Sequence, residues 1–286
     1  MKISFIIPPN GQYTNGKNWL YWVYKELEKL GNEVHMNSCA NDIDVIICMS
    51  ISQTDTLQRF KKLYPHIPFI TYNWDWLSFV DKTKSPWPEF TQLMKESLDV
   101  WTSTNYMVKK MKKELGFKHH IIKPCSVLEE CLGDSSDEGY VLMASRRDKR
   151  YKNFSFFEQG CEQLNIPFES CHPKKYDRKT YIRILSRCKM LVVASTEDAN
   201  TALSATEAAY FKKPLLLSDI EPHKEEWKDT AIYFKNNIFK DFKKKLGDMY
   251  SGKIKADVDG AFNIAITEFT PRAMAISINK RLKELL

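Results

Sequence analysis

The sequence predicts an α/β chain folded as two parallel-sheet units, and three observations predict it. Short runs such as Val45-Ile46-Ile47-Cys48, Leu191-Val192-Val193-Ala194 and Leu215-Leu216-Leu217 are apolar at every position, as strands covered on both faces are. Helix-length segments alternate with them, the order that builds a parallel sheet. From Leu132 to Gly139 the composition turns to LGDSSDEG, without apolar periodicity, which reads as a linker. A chain of 286 residues with 43% hydrophobic content can bury one large core or two modest ones. The domains are accordingly expected at 1–130 and 131–269, followed by a terminal helix at 270–286.

The elements follow in order. Lys2 to Ile7 is the first strand, and the loop from Pro8 to Gly16 leads into an amphipathic helix. Trp19, Val23, Leu27 and Leu30 recur there at helical spacing, and Gly31 stops it. Asp44 to Met49 is too short and too β-branched for a helix and reads as a strand. Further strands at Pro68 to Tyr72 and near Val100-Trp101 alternate with helix-like stretches. Strand Tyr140 to Ala144 opens the second unit, with helices over Asn153 to Leu164 and Asp177 to Cys188. Thr270 caps, and Pro271 starts, a last helix with Met274, Ile278, Leu282 and Leu285 on its apolar side.

Several function classes drop out. The opening apolar stretch is too short for a signal h-region, and no run approaches the roughly 18 apolar residues that span a bilayer. A soluble, cytoplasmic protein is expected, in the host cytoplasm if the chain is viral. The seven cysteines are scattered without a Cys-x-x-Cys pair and read as buried thiols in a reducing compartment. The six histidines lack metal-type spacing. Asp42-Ile43-Asp44 spells a metal-binding pair but stands at a strand entry, where Asp caps turns. No metal site is expected.

The formal charge of +7 implies an anionic partner. Basic residues cluster at Lys109-Lys110-Met111-Lys112-Lys113, at Arg146 to Arg150 and at Lys243 to Lys245. DNA, anionic lipid and a nucleoside diphosphate all satisfy that balance. Solvated helix faces account equally well for the first and third clusters.

From Leu191 to Phe234 the order is a buried strand, Ser195-x-Glu197, a loop, Glu207-Ala208 on a helix, Lys213-Pro214 and a second strand. Ser218-Asp219-Ile220 and Pro222-His223-x-Glu225 complete it. This order resembles the donor-binding half of the retaining family 4 glycosyltransferases of the GT-B fold, strongly from about Tyr140 to Phe234 and weakly before it. The resemblance implies two Rossmann-like domains with parallel sheets facing across a cleft, and a terminal helix crossing back to the first. It also implies a nucleoside-diphosphate sugar as co-substrate, transfer with retention, and neither cofactor nor metal.

Such a transfer builds negative charge on the leaving phosphate, where fixed cations are needed. Arg146 or Arg147, with Lys152, follow the strand where the family has a Gly-Arg…Lys-Gly element. Ser145 replaces the Gly, and the spacing leaves open which Arg corresponds. Five basic side chains among the seven residues from Arg146 to Lys152 repel one another unless an anion is present. Glu207 resembles the second acid of the family's paired-Glu motif, which implies a bond to the ribose hydroxyls, and a carboxylate suits a vicinal diol. Ser204-Ala205-Thr206-Glu207 also spells a capping box, in which Glu207 bonds its own helix backbone.

Eight positions before Glu207 stands Ala199 in place of the first acid, with Glu197 and Asp198 ahead to substitute for it. Asn200-Thr201-Ala202 replaces the usual Gly-aromatic pair, so the sugar stays open, pentoses included. With Leu203 these complete the expected donor contacts in the second unit. In the first unit, Gly16 and Lys17 end a loop similar to the family's glycine loop, at a helix N-terminus. At Thr71 to Trp76, where relatives carry His-Asp, Asn73 or Trp74 takes the His place. Asp75 is the carboxylate that would orient the acceptor or accept its proton. Asp75 and Asn73 are thus the catalytic candidates, and Tyr72, Trp74 and Trp76 the acceptor-binding ones.

The first acceptor reading is a hydroxymethylated pyrimidine in double-stranded phage DNA. Its motives are the basic balance, a chain short for the family, and aromatics that can stack on a flipped base while lysines hold phosphates. An envelope polysaccharide or lipopolysaccharide enzyme is the alternative, and a non-catalytic donor-binding module a third.

Overall fold

The structure, a computed structural model, describes residues 1–7, 19–73, 81–116, 119–128, 135–145, 149–171, 176–198 and 202–286. The chain divides into two compact units, one built from residues up to Pro124 together with Pro271–Leu286, the other from Cys125–Thr270.

The first unit runs β1 (Lys2–Ile6), α1 (Trp19–Lys29), β2 (Glu33–Met36), β3 (Val45–Cys48), α2 (Thr54–Leu63) and β4 (Phe69–Tyr72). It continues with α3 (Trp87–Glu96), β5 (Asp99–Thr102), α4 (Asn105–Leu115) and β6 (His120–Ile121). Among the described residues its strands form one parallel sheet in the order β2-β1-β3-β4-β5-β6. β3 and β4 are buried along their whole length, because helices cover both faces of a parallel sheet. At the strand entry, Lys2 N donates to Asp44 Oδ2 at 2.7 Å and Lys2 Nζ to Asp42 Oδ2 at 2.5 Å. The Asp-x-Asp pair therefore serves the strand start.

Helix boundaries follow local chemistry. Thr104 Oγ1 accepts from Met107 N at 3.2 Å to start α4, and Gly116, at φ 80°, ends it with its N–H on Lys112 O, the left-handed cap that glycine adopts without strain. Leu30, expected on the buried stripe of α1, lies one residue past the helix and is 39% exposed.

The last helix, α11 (Pro271–Leu285), belongs to the first unit and packs along α1. Met274, Ile278 and Leu282 are buried, as are Leu20, Val23 and Leu27 of α1. Polar ties fix the register: Asn32 Nδ2 donates to Asn279 Oδ1 at 3.0 Å, and Arg281 Nε to Asp99 Oδ2 at 2.7 Å. The same Asp99 oxygen accepts from Trp101 Nε1 at 3.0 Å.

The second unit runs β7 (Val141–Ala144), α5 (Phe154–Gln163), β8 (Phe168–Cys171), α6 (Arg178–Arg187), β9 (Met190–Val193) and α7 (Leu203–Tyr210). Then come β10 (Leu215–Ser218), α8 (Glu221–Trp227), β11 (Ile232–Phe234), α9 (Phe239–Tyr250) and α10 (Val258–Glu268). The parallel order is β11-β10-β9-β7-β8. Alternate residues of one strand enter opposite cores: Leu142 and Ala144 pack with α6 and α7 residues, Val141 and Met143 with Phe157 of α5 and Phe242 of α9.

The described part of the segment read as a linker, 135–139, is tied to this unit, Ser136 N and Glu138 N donating to Ser186 O and Arg187 O. Lys213 Nζ adds a bond to Ser136 O at 2.6 Å. Cys48, Cys125, Cys161, Cys171 and Cys188 are buried free thiols, and Cys39 is half-buried. Burial pushes the Cys48, Cys161, Cys171 and Cys188 thiols up to about 12, which leaves them unreactive.

Arg281 holds a carboxylate whose side chain is 9% exposed. Arg281→Met is expected to cost about 1–3 kcal/mol, since Asp99 keeps its Trp101 bond but loses its cation. Urea unfolding followed by tryptophan fluorescence reads this as a lowered midpoint.

Candidate functional site

In the second sheet the chain leaves β7 for β8 on one side and then crosses to β9 on the other. The gap between β7 and β9 is therefore a topological switch point, and in open α/β sheets ligands bind at the carboxyl ends of the strands there. Two segments flank it, one after β7 and one after β9, and Thr196 N donates to Tyr151 O at 2.8 Å to join them. Asn153, at φ 59°, closes the first segment and opens α5, a left-handed position that Asn tolerates.

Lys152 and Asp198 meet across this gap. Lys152 Nζ donates to Asp198 Oδ2 at 2.5 Å and to Ser195 Oγ at 3.3 Å. The two charged side chains are only 13% and 11% exposed, so each depends on the other for compensation.

Behind them lies a buried polar relay. Ser218 Oγ, at the end of β10, donates to Ser195 O at 2.5 Å. His223 Nδ1 lies 3.0 Å from Ser218 O, and a carbonyl only accepts, so Nδ1 carries the proton and Nε2 the lone pair. Nε2 is buried without a hydrogen-bond partner, on a residue 1% exposed. Burial is the main reason the ring's pKa falls to about 4; Asp198 opposes the fall and Lys152 adds to it.

Glu207 stands on α7 and is 6% exposed. The cap of α7 is Ala202, with no side-chain cap bond, so Glu207 is not half of a capping box. Its carboxylate is held from α6: Arg178 Nη1 lies 2.6 Å from Oε1, and Tyr181 Oη donates to Oε2 at 2.8 Å. Arg178 and Tyr181 are three residues apart and so share a helix face. Asp177 Oδ1 pins the start of that helix by accepting from Thr180 N at 2.7 Å.

Of the residues expected at a donor site, Lys152, Glu197, Ala202, Leu203 and Glu207 are described, and all lie in this unit beyond β7 or β9. Glu197 is half-buried beside Asp198, and the Leu203 carbonyl accepts from Ser126 Oγ at 3.4 Å. Gly16, Lys17, Trp74, Asp75, Trp76, Arg146, Arg147, Asn200 and Thr201 lie outside the described residues.

Two of the first-unit candidates are buried. Tyr72 is fully buried on β4 and its hydroxyl donates to Ile122 O, so it has no face on which an acceptor could stack. Asn73 is 2% exposed, with Nδ2 at 3.6 Å from Met94 Sδ and 3.9 Å from Met111 Sδ. Both follow from a strand covered on both faces, which turns even its polar side chains inward.

Asp198 as the partner of Lys152, and Arg178 and Tyr181 as the holders of Glu207, were not singled out from sequence. The i, i+3 spacing of Arg178 and Tyr181 was visible, but any amphipathic helix shows such pairs. Among the described residues no group of three or more His, Cys, Asp or Glu could hold a metal ion. No described helix is long and apolar enough to cross a membrane.

No protein-family model and no curated protein matches this chain. Solved structures do match. Sucrose-phosphate synthase from Thermosynechococcus elongatus is similar with a TM-score of 0.77 at 8% identity, over 99% of this chain and 98% of its own. HepE from Anabaena, in complex with UDP and glucose, is similar with a TM-score of 0.74 at 11% identity, over 99% and 100%. A glycosyltransferase from Rickettsia africae gives 0.72 at 12% identity, over 99% and 98%. At these identities the likeness establishes the fold. The two parallel-sheet α/β units are those of GT-B glycosyltransferases, as the sequence predicted.

Because the folded pKa of His223 is about 4, below the ordinary 6.5, the unfolded chain binds the extra proton first. Its contribution to stability is complete above about pH 6.5 and is lost as pH falls toward 4, by about 3 kcal/mol at most. Denaturation midpoints measured from pH 7 to 4 are expected to fall more steeply for the parent chain than for His223→Asn, which keeps a donor toward Ser218 O and does not titrate.

Proposed function

We propose that this chain is a glycosyltransferase that moves a sugar from a nucleoside-diphosphate sugar to an acceptor, with retention at the anomeric carbon. The observation that carries this is the placement of Lys152 and Glu207 beyond the strand ends of a GT-B donor-type sheet. The matched HepE structure holds UDP and glucose, which supports a nucleotide-sugar donor. The diphosphate competes with Asp198 for the Lys152 ammonium, and Lys152 stabilises the charge that grows on the leaving phosphate. Arg146 or Arg147 adds cationic charge there, so that basic side chains do the work of a divalent ion. Glu207 accepts from the ribose hydroxyls, and the departing phosphate takes the proton of the acceptor hydroxyl.

For the acceptor we propose a hydroxymethylated pyrimidine in duplex DNA, with the protein acting in the cytoplasm. The net charge of +7 supports it, as does α4, whose Lys109, Lys112 and Lys113 are exposed beside half-buried Lys110. Exposed lysines on one helix suit a phosphate backbone. With Tyr72 buried, stacking on a flipped base would fall to Trp74 and Trp76, and the carboxylate role in the first unit to Asp75.

Lys152→Ala is expected to weaken UDP binding by about 1.5–3 kcal/mol, the worth of a charge-assisted bond, and Glu207→Ala to weaken it as well. Titration calorimetry measures both, and unchanged affinity in the two variants would remove the nucleotide from this site. The acceptor is tested by mass spectrometry of duplexes with and without 5-hydroxymethylcytosine or 5-hydroxymethyluracil, incubated with hexose and pentose donors. A sugar-sized gain on hydroxymethylated DNA alone is expected. Donor hydrolysis without that gain would move the acceptor to an envelope glycan, and donor binding without any turnover would leave a binding module.

A further inference from the structure

We propose that Arg178 and Tyr181 are positioning residues that aim the Glu207 carboxylate at a ribose cis-diol, which makes the site selective for ribonucleoside over 2′-deoxyribonucleoside diphosphates. This rests on the nucleotide reading given above. A carboxylate has two oxygens with about four lone-pair sites. Arg178 Nη1 takes one on Oε1 at 2.6 Å, and Tyr181 Oη one on Oε2 at 2.8 Å. One site per oxygen remains, and two adjacent acceptors match two adjacent hydroxyls.

The holders are themselves held. Arg178 lies 5.5 Å from the centroid of the Tyr181 ring, with Nη2 3.5 Å from Val127 O. Burial, with the Glu207 charge adding to it, pushes the Tyr181 phenol well above its ordinary range, so it stays a donor at working pH.

Each holder has a distinct effect. Glu207, with its side chain 8% exposed, would lose its cation with Arg178, and with it the contact that fixes Oε1, so the carboxylate turns from its set direction toward another donor or water. A carboxylate turned away no longer presents two adjacent acceptors to a pair of donating hydroxyls. Without Tyr181 the ion pair with Arg178 persists, but the terminal torsion, broad for such a group, is restrained at one oxygen only. A purely structural tie between α6 and α7 predicts something else: its loss would weaken every nucleotide alike.

Calorimetry separates these. UDP, GDP and ADP are each titrated beside the matching 2′-deoxynucleotide, and the preference is read with the base that binds. The parent chain is expected to favour the ribonucleotide at least about tenfold, the order of a bond to a charged group. Arg178→Met should bring the preference to within about twofold of none, Arg178→Lys should restore part of it, and Tyr181→Phe should reduce it several-fold.

Glu207→Gln is the control. If it leaves the parent preference unchanged, or if none of the three nucleotides binds the parent chain, the nucleotide reading falls and this proposal with it. If it collapses the preference while Arg178→Met and Tyr181→Phe keep it, the positioning role alone is overturned. Should Arg178→Met fail to fold by circular dichroism, Arg178→Lys and Tyr181→Phe carry the same comparison, and a full preference in both overturns the proposal.

Discussion

The ion pair between Lys152 and Asp198 is the constraint on which the second unit's site depends. Strands β7, β9 and β10 are buried along their whole length, so polar chemistry can gather only beyond their ends. There the chain departs in opposite directions, and the two departing segments would diverge if nothing joined them. The pair of charges joins them, helped by the backbone bond from Thr196 to Tyr151. Removing either partner would leave the other as an uncompensated charge of low exposure, a state folded proteins avoid. The geometry of the switch point is thus set by electrostatics as much as by packing.

Around that pair the polar groups are ordered by what each can donate. Ser218 gives its proton to Ser195 O, which leaves His223 to donate from Nδ1 and to keep a bare Nε2 in the interior. Glu207 is placed the same way, from α6 rather than from its own helix. His223 is oriented from five residues away and Glu207 from a helix 26 positions back, and in both cases a buried polar side chain is held in one attitude by a neighbour on the same rigid frame.

The first unit uses the same parallel architecture differently. Its described polar residues at the end of β4 are absorbed by the core, with Thr102 Oγ1 donating to Asn73 O and the Tyr72 hydroxyl to Ile122 O. Its charged tie to the last helix is Arg281 on Asp99, which joins α11 to β5, while Asn279 meets Asn32 just past α1. Charge here closes a structural seam.

The fold was legible in the sequence because strands buried on both faces must be apolar at every position, and 45–48, 191–194 and 215–217 could be little else. Alternation with helix-length segments then specified parallel sheets. The edge strands β2 and β8, half-exposed and mixed in composition, carried no such signature. Lys152 and Glu207 were singled out by resemblance to a family's motifs, and both lie beyond the ends of buried strands. What stands opposite them was not. Asp198 is 46 positions from Lys152, and Tyr181 26 from Glu207, and no local pattern reports a contact made only when separate crossovers return to the same sheet edge. The burial of Tyr72 and Asn73 was likewise decided by tertiary structure. A polar residue at a strand end can face solvent or a neighbouring helix, and only packing settles which.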